Sequence, residues 1–233
     1  MHLHSCLSPC ADDDMTPANM IGMASIIGLD VVALTDHNSC RNCGAFMKAA
    51  DEYGILAIPG MELCTSEEVH VLCYFSCLED ALAFDEYVYA HMNKTPNVPE
   101  IFGNQLLYNE DDEICGTEAM LLHESVDFSF FDLEDIVPRF KGIYGPAHLD
   151  RTSNSLISNL GFIPPESHFK FAEFRSMEKG EPILEGSEYL QGCKIITDSD
   201  AHRLDSFNEA ENFLHLKDKS ITAVLDALTN RQL

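Results

Sequence analysis

The chain has 233 residues, 45% of them hydrophobic, which is enough for one large domain or two small ones. Its 39 acidic and 14 basic residues give a formal net charge of −25, a balance that repels a phosphate backbone and excludes long nucleic acid as the main ligand. No apolar run approaches the roughly 20 residues of a membrane span and the start lacks a secretion-signal pattern, so the sequence reads as cytoplasmic, with no membrane partner.

Residues 1–5 predict a short strand in which His2 and His4 leave one face while Leu3 turns inward. With ten His in the chain, such a pair gains meaning only if further ligands recur at later strand ends. A loop, 5–16, carries Asp12, Asp13 and Asp14. Thr16 and Pro17 then supply both start signals of a helix, which Gly28 ends. The apolar run 30–35 predicts a buried strand that delivers Asp36 and His37 at its C-terminal end. A helix over 41–53 precedes a second apolar run, 55–59, which leads into Gly60-Met61-Glu62. Residues 69–75 predict a strand with His70 inside it, and 78–92 a helix.

Regularity then fails. Residues 93–118 hold Pro96, Pro99, Gly103 and an acidic turn at 109–113, the marks of an irregular insertion. A helix is expected over 132–140, a strand over 142–147 ending in His148, and a short helix over 155–161. The last strands are expected at 169–174 and 194–197, the latter running into Asp198-Ser199-Asp200-Ala201-His202, and a helix covers 220–229. Alternating strands and helices imply a mostly parallel sheet, open or closed into a barrel, with function at the carboxyl ends of the strands.

Nine cysteines, an odd number spread through apolar segments, fit reduced thiols. Cys6, Cys10, Cys40 and Cys43 have spacings short enough for zinc, but the same spacings are common among free thiols. The stronger constellation is His2, His4, Asp12, His37, Glu62, His70, His148, Asp200 and His202. Singly, His70 reads as a hydrogen-bonded core residue and Glu62 as an ion-pair partner. Together, so many ionisable groups at buried strand ends would be costly without partners. The set is large enough for two or three ions sharing a carboxylate, and its mixed nitrogen and oxygen donors suit Zn, Mn or Fe. His91, His123, His168 and His215 lack a motif and read as surface or structural residues.

The motifs His2-Leu3-His4, Thr35-Asp36-His37, Gly60-Met61-Glu62 with His70, Ala147-His148 and Ser199-Asp200-Ala201-His202 resemble, in this order, those of the PHP (polymerase and histidinol phosphatase) superfamily, and most of all its stand-alone metal-dependent phosphoesterases. The resemblance spans almost the whole chain. It implies an α/β fold, a distorted (β/α)7 barrel of about seven strands, taken as one domain over 1–233 with residues 93–141 as an insertion. It also implies three divalent ions. The first would be held at His2, His4, Glu62 and Asp200, the second at Glu62, His70 and His148, and the third at Asp12, His37 and His202. The loop after His4 is longer than the family pattern, which leaves Asp13 as the alternative to Asp12. Asp36 and Asp198 are expected to orient ligands or cap elements. Members usually carry Asp two residues before the first His, whereas only Met1 precedes His2 here.

The activity expected is hydrolysis of a phosphoester in a small phosphorylated metabolite or nucleotide by a hydroxide bridging two ions. Three divalent ions against three carboxylates leave about +3 locally, which draws phosphate into an acidic protein. Arg151 is the expected phosphate-binding cation and Arg203 the second choice, each with an ordinary surface ion pair as the bland alternative. Exonuclease or nucleoside-bisphosphate hydrolysis, hydrolysis of C–N bonds, and a metal-binding regulatory protein without turnover are the other readings.

Overall fold

The computed structural model describes residues 1–229. Helix α1 (Pro17–Ile27) starts where Thr16 Oγ1 accepts from the Asn19 N–H and stops at Gly28, whose φ of 85° closes the helix in the left-handed region. It leads into strand β1 (Val31–Leu34), helix α2 (Cys43–Tyr53), strand β2 (Leu56–Cys64) and strand β3 (His70–Phe75). Strand β2 runs past the expected apolar stretch and carries Glu62 in its second half.

β1 and β2 are parallel, but β2 with β3 and β3 with β6 (Gly142–Pro146) are antiparallel. The expectation of a mostly parallel sheet therefore fails at its centre. Only five residues separate β2 from β3, which is too short for the crossover that a parallel pair requires. β7 (Phe171–Phe174) and β8 (Lys194–Thr197) form a parallel pair.

Single hydrogen bonds join these sheets into a ring. The Leu149 N–H donates to the Glu173 carbonyl across β6 and β7. Residue Leu3 forms a one-residue parallel bridge with Ala201, beyond β8. On one side the His4 N–H donates to the Ala201 carbonyl at 3.0 Å, and on the other the Thr35 N–H donates to the Leu3 carbonyl at 2.9 Å. The circuit of N-terminal segment, β1, β2, β3, β6, β7 and β8 is a distorted seven-membered barrel. One bridge, rather than a regular strand over 1–5, closes it.

The insertion after α3 (Leu78–His91) is more ordered than its composition suggests. It contains a one-turn helix (Pro99–Phe102), a hairpin of β4 (Leu106–Tyr108) and β5 (Ile114–Thr117), and two 3-10 turns flanking Leu133–Ile136. Leu122, Val126, Phe130, Leu133 and Val137 are buried in the main core, so much of this segment is a structural wall. The helix Met177–Glu185, which contains Gly180 and Pro182, has no counterpart in the sequence reading. Among the described residues no helix is long and apolar enough to cross a membrane.

Candidate metal centre

Strand ends and the loops after them bring most of the motif residues to one mouth of the barrel. His2 and His4 flank the Leu3 bridge, Glu62 lies on β2, His70 opens β3, His148 follows β6, and Asp200 and His202 follow β8. His148 and Asp200 have φ of 29° and 48°, a left-handed backbone that ordinary side chains avoid at a cost of order 1–3 kcal/mol. They lie two and three residues beyond the ends of β6 and β8.

Two buried carboxylates orient the histidines. Glu173, on β7, takes His2 Nδ1 at 2.9 Å and the His148 N–H at 2.8 Å. Asp36 accepts from the Ser5 N–H and from the hydroxyls of Ser5 and Ser8, all at 2.7 Å, and Ser8 Oγ lies 2.9 Å from His4 Nδ1. With Nδ1 of each ring engaged as a donor, Nε2 of His2 and His4 is left as a lone pair, the form a metal ligand requires. Asp36 thus acts on a histidine through Ser8. Glu173 and Ser8 escaped the sequence reading, although Glu173 had one visible signal: a carboxylate inside the apolar run Phe171-Ala172-Glu173-Phe174.

The two freed nitrogens lie 3.0 Å apart. His2 Nε2 is 3.4 Å from Glu62 Oε1 and 3.4 Å from Asp200 Oδ1, and His4 Nε2 is 3.2 Å from Glu62 Oε2 and 3.2 Å from Asp200 Oδ1. Four donors spaced this way surround one point. Nitrogens bound tetrahedrally at 2.0–2.1 Å would be about 3.3 Å apart, so the residues fit a cation. Glu62 Oε1 is also 3.0 Å from His70 Nδ1 and from His148 Nε2, which makes Glu62 common to two groups. The buried atoms His37 Nδ1, His70 Nε2, His148 Nδ1 and Asp200 Oδ1 meet no hydrogen-bond partner; orphaned polar atoms are rare in a folded interior and point to an ion or water. Four sets of donors close enough to share an ion result: His2, His4, Glu62 and Asp200; Glu62, His70 and His148; His4, His37 and His202; and His37, His70 and His123.

Electrostatics follow from this crowding. Burial opposes charge on His2, but Glu173, Glu62 and Asp200 outweigh it and raise its pKa well above 6.5; His4 is raised against burial by the adjacent Asp200 and Glu62 carboxylates. Burial and the His4 charge lower His37, and the same pair of causes takes His202 down to about 4. Burial would raise Glu62 and Asp200, yet the surrounding imidazoles hold both low. Without a metal, the centre holds protons between its carboxylates.

Asp12 stands apart. Its N–H donates to the His202 carbonyl, but its half-exposed carboxylate lies 3.6 Å from Arg203 and belongs to none of the four donor sets. Asp13 accepts from Asn104 and belongs to none either. Arg203 therefore sits with Asp12 rather than over the cluster. Arg151 donates to Asp200 Oδ2 at 3.2 Å, and Arg175, unnoticed in the sequence, does so at 2.9 Å. Cysteines enter no donor set among the described residues, and no disulfide joins any two of them.

A family model described as PHP domain matches residues 1–140. No curated protein sequence matches the chain. Among solved structures, the lesion-specific endonuclease PfuEndoQ from Pyrococcus furiosus aligns over 98% of this chain and 55% of its own, at 17% identity and a TM-score of 0.69. Endonuclease Q in complex with a 27-mer duplex bearing an abasic lesion gives 16% identity and 0.70 over the same shares. A protein from Bifidobacterium adolescentis assigned to the metal-dependent phosphoesterases aligns over 99% of this chain and 96% of its own, at 16% identity and 0.65. The chain spans about half the length of the two endonuclease structures. The family match covers the loop and strands that bear His2, His4, His37, Glu62 and His70, and the chain belongs to the PHP domain family.

Proposed function

We propose that the chain works as a single PHP domain that hydrolyses phosphoesters of small phosphorylated metabolites or nucleotides at a trinuclear centre of zinc, manganese or iron. His2, His4, Glu62 and Asp200 are assigned to the first ion, Glu62, His70 and His148 to the second, and His37 and His202 to the third. Asp12 would add its oxygen to the third ion on turning away from Arg203. Bound divalent ions supply a water acidic enough to act as nucleophile near neutral pH and polarise the phosphoryl oxygens.

The chain's own residues supply position and charge. Glu173 and the Asp36–Ser8 pair fix the tautomers of His2 and His4. Arg151 and Arg175 lie on the outer oxygen of Asp200 with side chains 41% and 43% exposed, so each can hold a phosphate oxygen while remaining anchored. That pair of anchored guanidiniums beside a buried donor cluster, in a chain of net charge −25, is the observation that carries the phosphoester reading. Hydrolysis of a C–N bond gives it no role.

Endonuclease activity is the second reading, favoured by the likeness to the endonuclease Q fold. The acidic surface argues for a short substrate rather than a long duplex. A panel of phosphomonoesters, phosphodiesters, short oligonucleotides and lesion-bearing duplexes, tested with Zn2+, Mn2+ or Fe2+, separates these readings. Turnover of small phosphoesters is expected. Metal-loaded protein inert toward the whole panel would instead support metal binding without catalysis.

A further inference from the structure

His123 has no place in the family motifs, yet the insertion delivers it to the mouth of the cluster. Its ring centroid lies 4.7 Å from that of His37 and 5.8 Å from that of His70, both edge-on. One ring nitrogen from each of the three lies within 4.8 Å of the others. The placement is enforced by the chain on both sides of it. Asn38, next to His37 and at φ 47°, donates through Nδ2 to the carbonyls of Leu122 and Glu124. Gln105 Oε1 accepts from the Leu122 N–H at 2.9 Å.

Two of the three rings present buried nitrogens without partners. His70 Nε2 has no hydrogen-bond partner, and His37 Nδ1, 3.1 Å from Glu62 Oε2, lacks the alignment for a hydrogen bond. Both residues are 3% exposed. His123 is exposed, so the third ring faces solvent.

We propose that His37, His70 and His123 form a further cation seat at the mouth of the centre, a three-imidazole site that leaves one coordination position open to solvent. It rests on the reading of the cluster as a metal centre. Three imidazole nitrogens with no carboxylate select a borderline transition ion such as Zn2+ or Co2+ over Mg2+ or Ca2+. The inner positions also use His37 and His70, and an imidazole that holds an ion at each of its two nitrogens must give up its ring proton. The seat is therefore weaker than the inner positions and fills last, when the cation is in excess.

The test is calorimetric titration of the metal-free full chain with Zn2+ and with Mg2+, supported by the visible spectrum of bound Co2+, for wild type, His123→Ala and Asp12→Asn. His123→Ala is expected to weaken the last zinc step at least about ten-fold, since even losing a residue that orients a ligand costs 10–100-fold. It should also remove the matching Co2+ band while leaving the tighter steps and Mg2+ binding unchanged. Asp12→Asn should retain that step. Because His123 is exposed, the melting temperature of the metal-free His123→Ala protein should equal that of wild type. Superimposable zinc isotherms for wild type and His123→Ala, or loss of the last step in Asp12→Asn instead, would overturn the proposal alone. A wild-type chain that binds no zinc at all would overturn the metal-centre reading with it.

Discussion

Replacing Glu173 by Gln tests how the fold sets the chemistry of His2. The Glu173 carboxylate meets His2 Nδ1 with both oxygens, at 2.9 and 3.0 Å, and takes the His148 N–H with one of them at 2.8 Å. All three contacts need an acceptor. Gln supplies one acceptor oxygen and one donor NH2 group. With its oxygen kept on the His148 N–H, its NH2 faces His2 Nδ1 and favours the tautomer that carries the proton on Nε2, the atom aimed at His4, Glu62 and Asp200. Loss of such an orienting carboxylate lowers metal affinity by about 10–100-fold, or about 1.4–2.7 kcal/mol. Competition between metal-free protein and a chromogenic chelator for Zn2+ reads this directly, and circular dichroism checks that the side chain, nearly isosteric, leaves the fold in place. Unchanged affinity for the tightest zinc in a folded Glu173→Gln protein would refute the argument that Glu173 sets the His2 tautomer.

Arg151→Ala and Arg175→Ala should each lower kcat/KM for a phosphomonoester about ten-fold. That is near the low end for a charged hydrogen bond, because both side chains are partly exposed, and KM should carry most of the change. Steady-state kinetics that show no change in either variant would remove the phosphate-holding role. The pH dependence of the chelated protein has a definite sign. His2 and His4 are raised, so their stabilisation is complete below about 6.5 and lost as pH climbs through their folded values; His37 and His202 are lowered, so theirs is complete above about 6.5 and lost as pH falls, toward about 4 for His202. Thermal melting with chelator should peak near pH 6.5, and saturating zinc should flatten the alkaline fall; a chelated protein whose melting temperature rises steadily to pH 9 would contradict this. Gly145→Ala would set a Cβ 2.3 Å from the Phe171 carbonyl and 2.8 Å from its ring at the junction of β6 and β7, costing about 1–3 kcal/mol; urea unfolding with an unchanged midpoint would show that the barrel gives way there at no cost.

Much of this protein is legible along the chain because its signals are local. Thr16, Pro17 and Gly28 bound α1 by their own chemistry. Strand ends marked by His37, His148 and Asp200 announce where polar groups gather. Asp12 depends on the fold in another way: the family resemblance implies a ligand, and the carboxylate lies beside Arg203, from which it must turn to reach an ion. The insertion shows the limit of such reasoning, since its Pro and Gly content describes irregular backbone but not that Leu122, Phe130 and Leu133 complete the core.

By itself the sequence determined the boundaries of α1, α2 and α3 to within two residues, the cores of β1, β2, β3, β6, β7 and β8 and the identity of most donors, since each depends on a few neighbouring residues. Only the tertiary structure decided the antiparallel centre of the sheet, the Leu3–Ala201 closure, the pairing of Glu173 with His2 and the approach of His123 to His37. The last three join residues 86–198 positions apart and the first depends on which way a strand turns back, and no local propensity encodes the direction in which a distant side chain arrives.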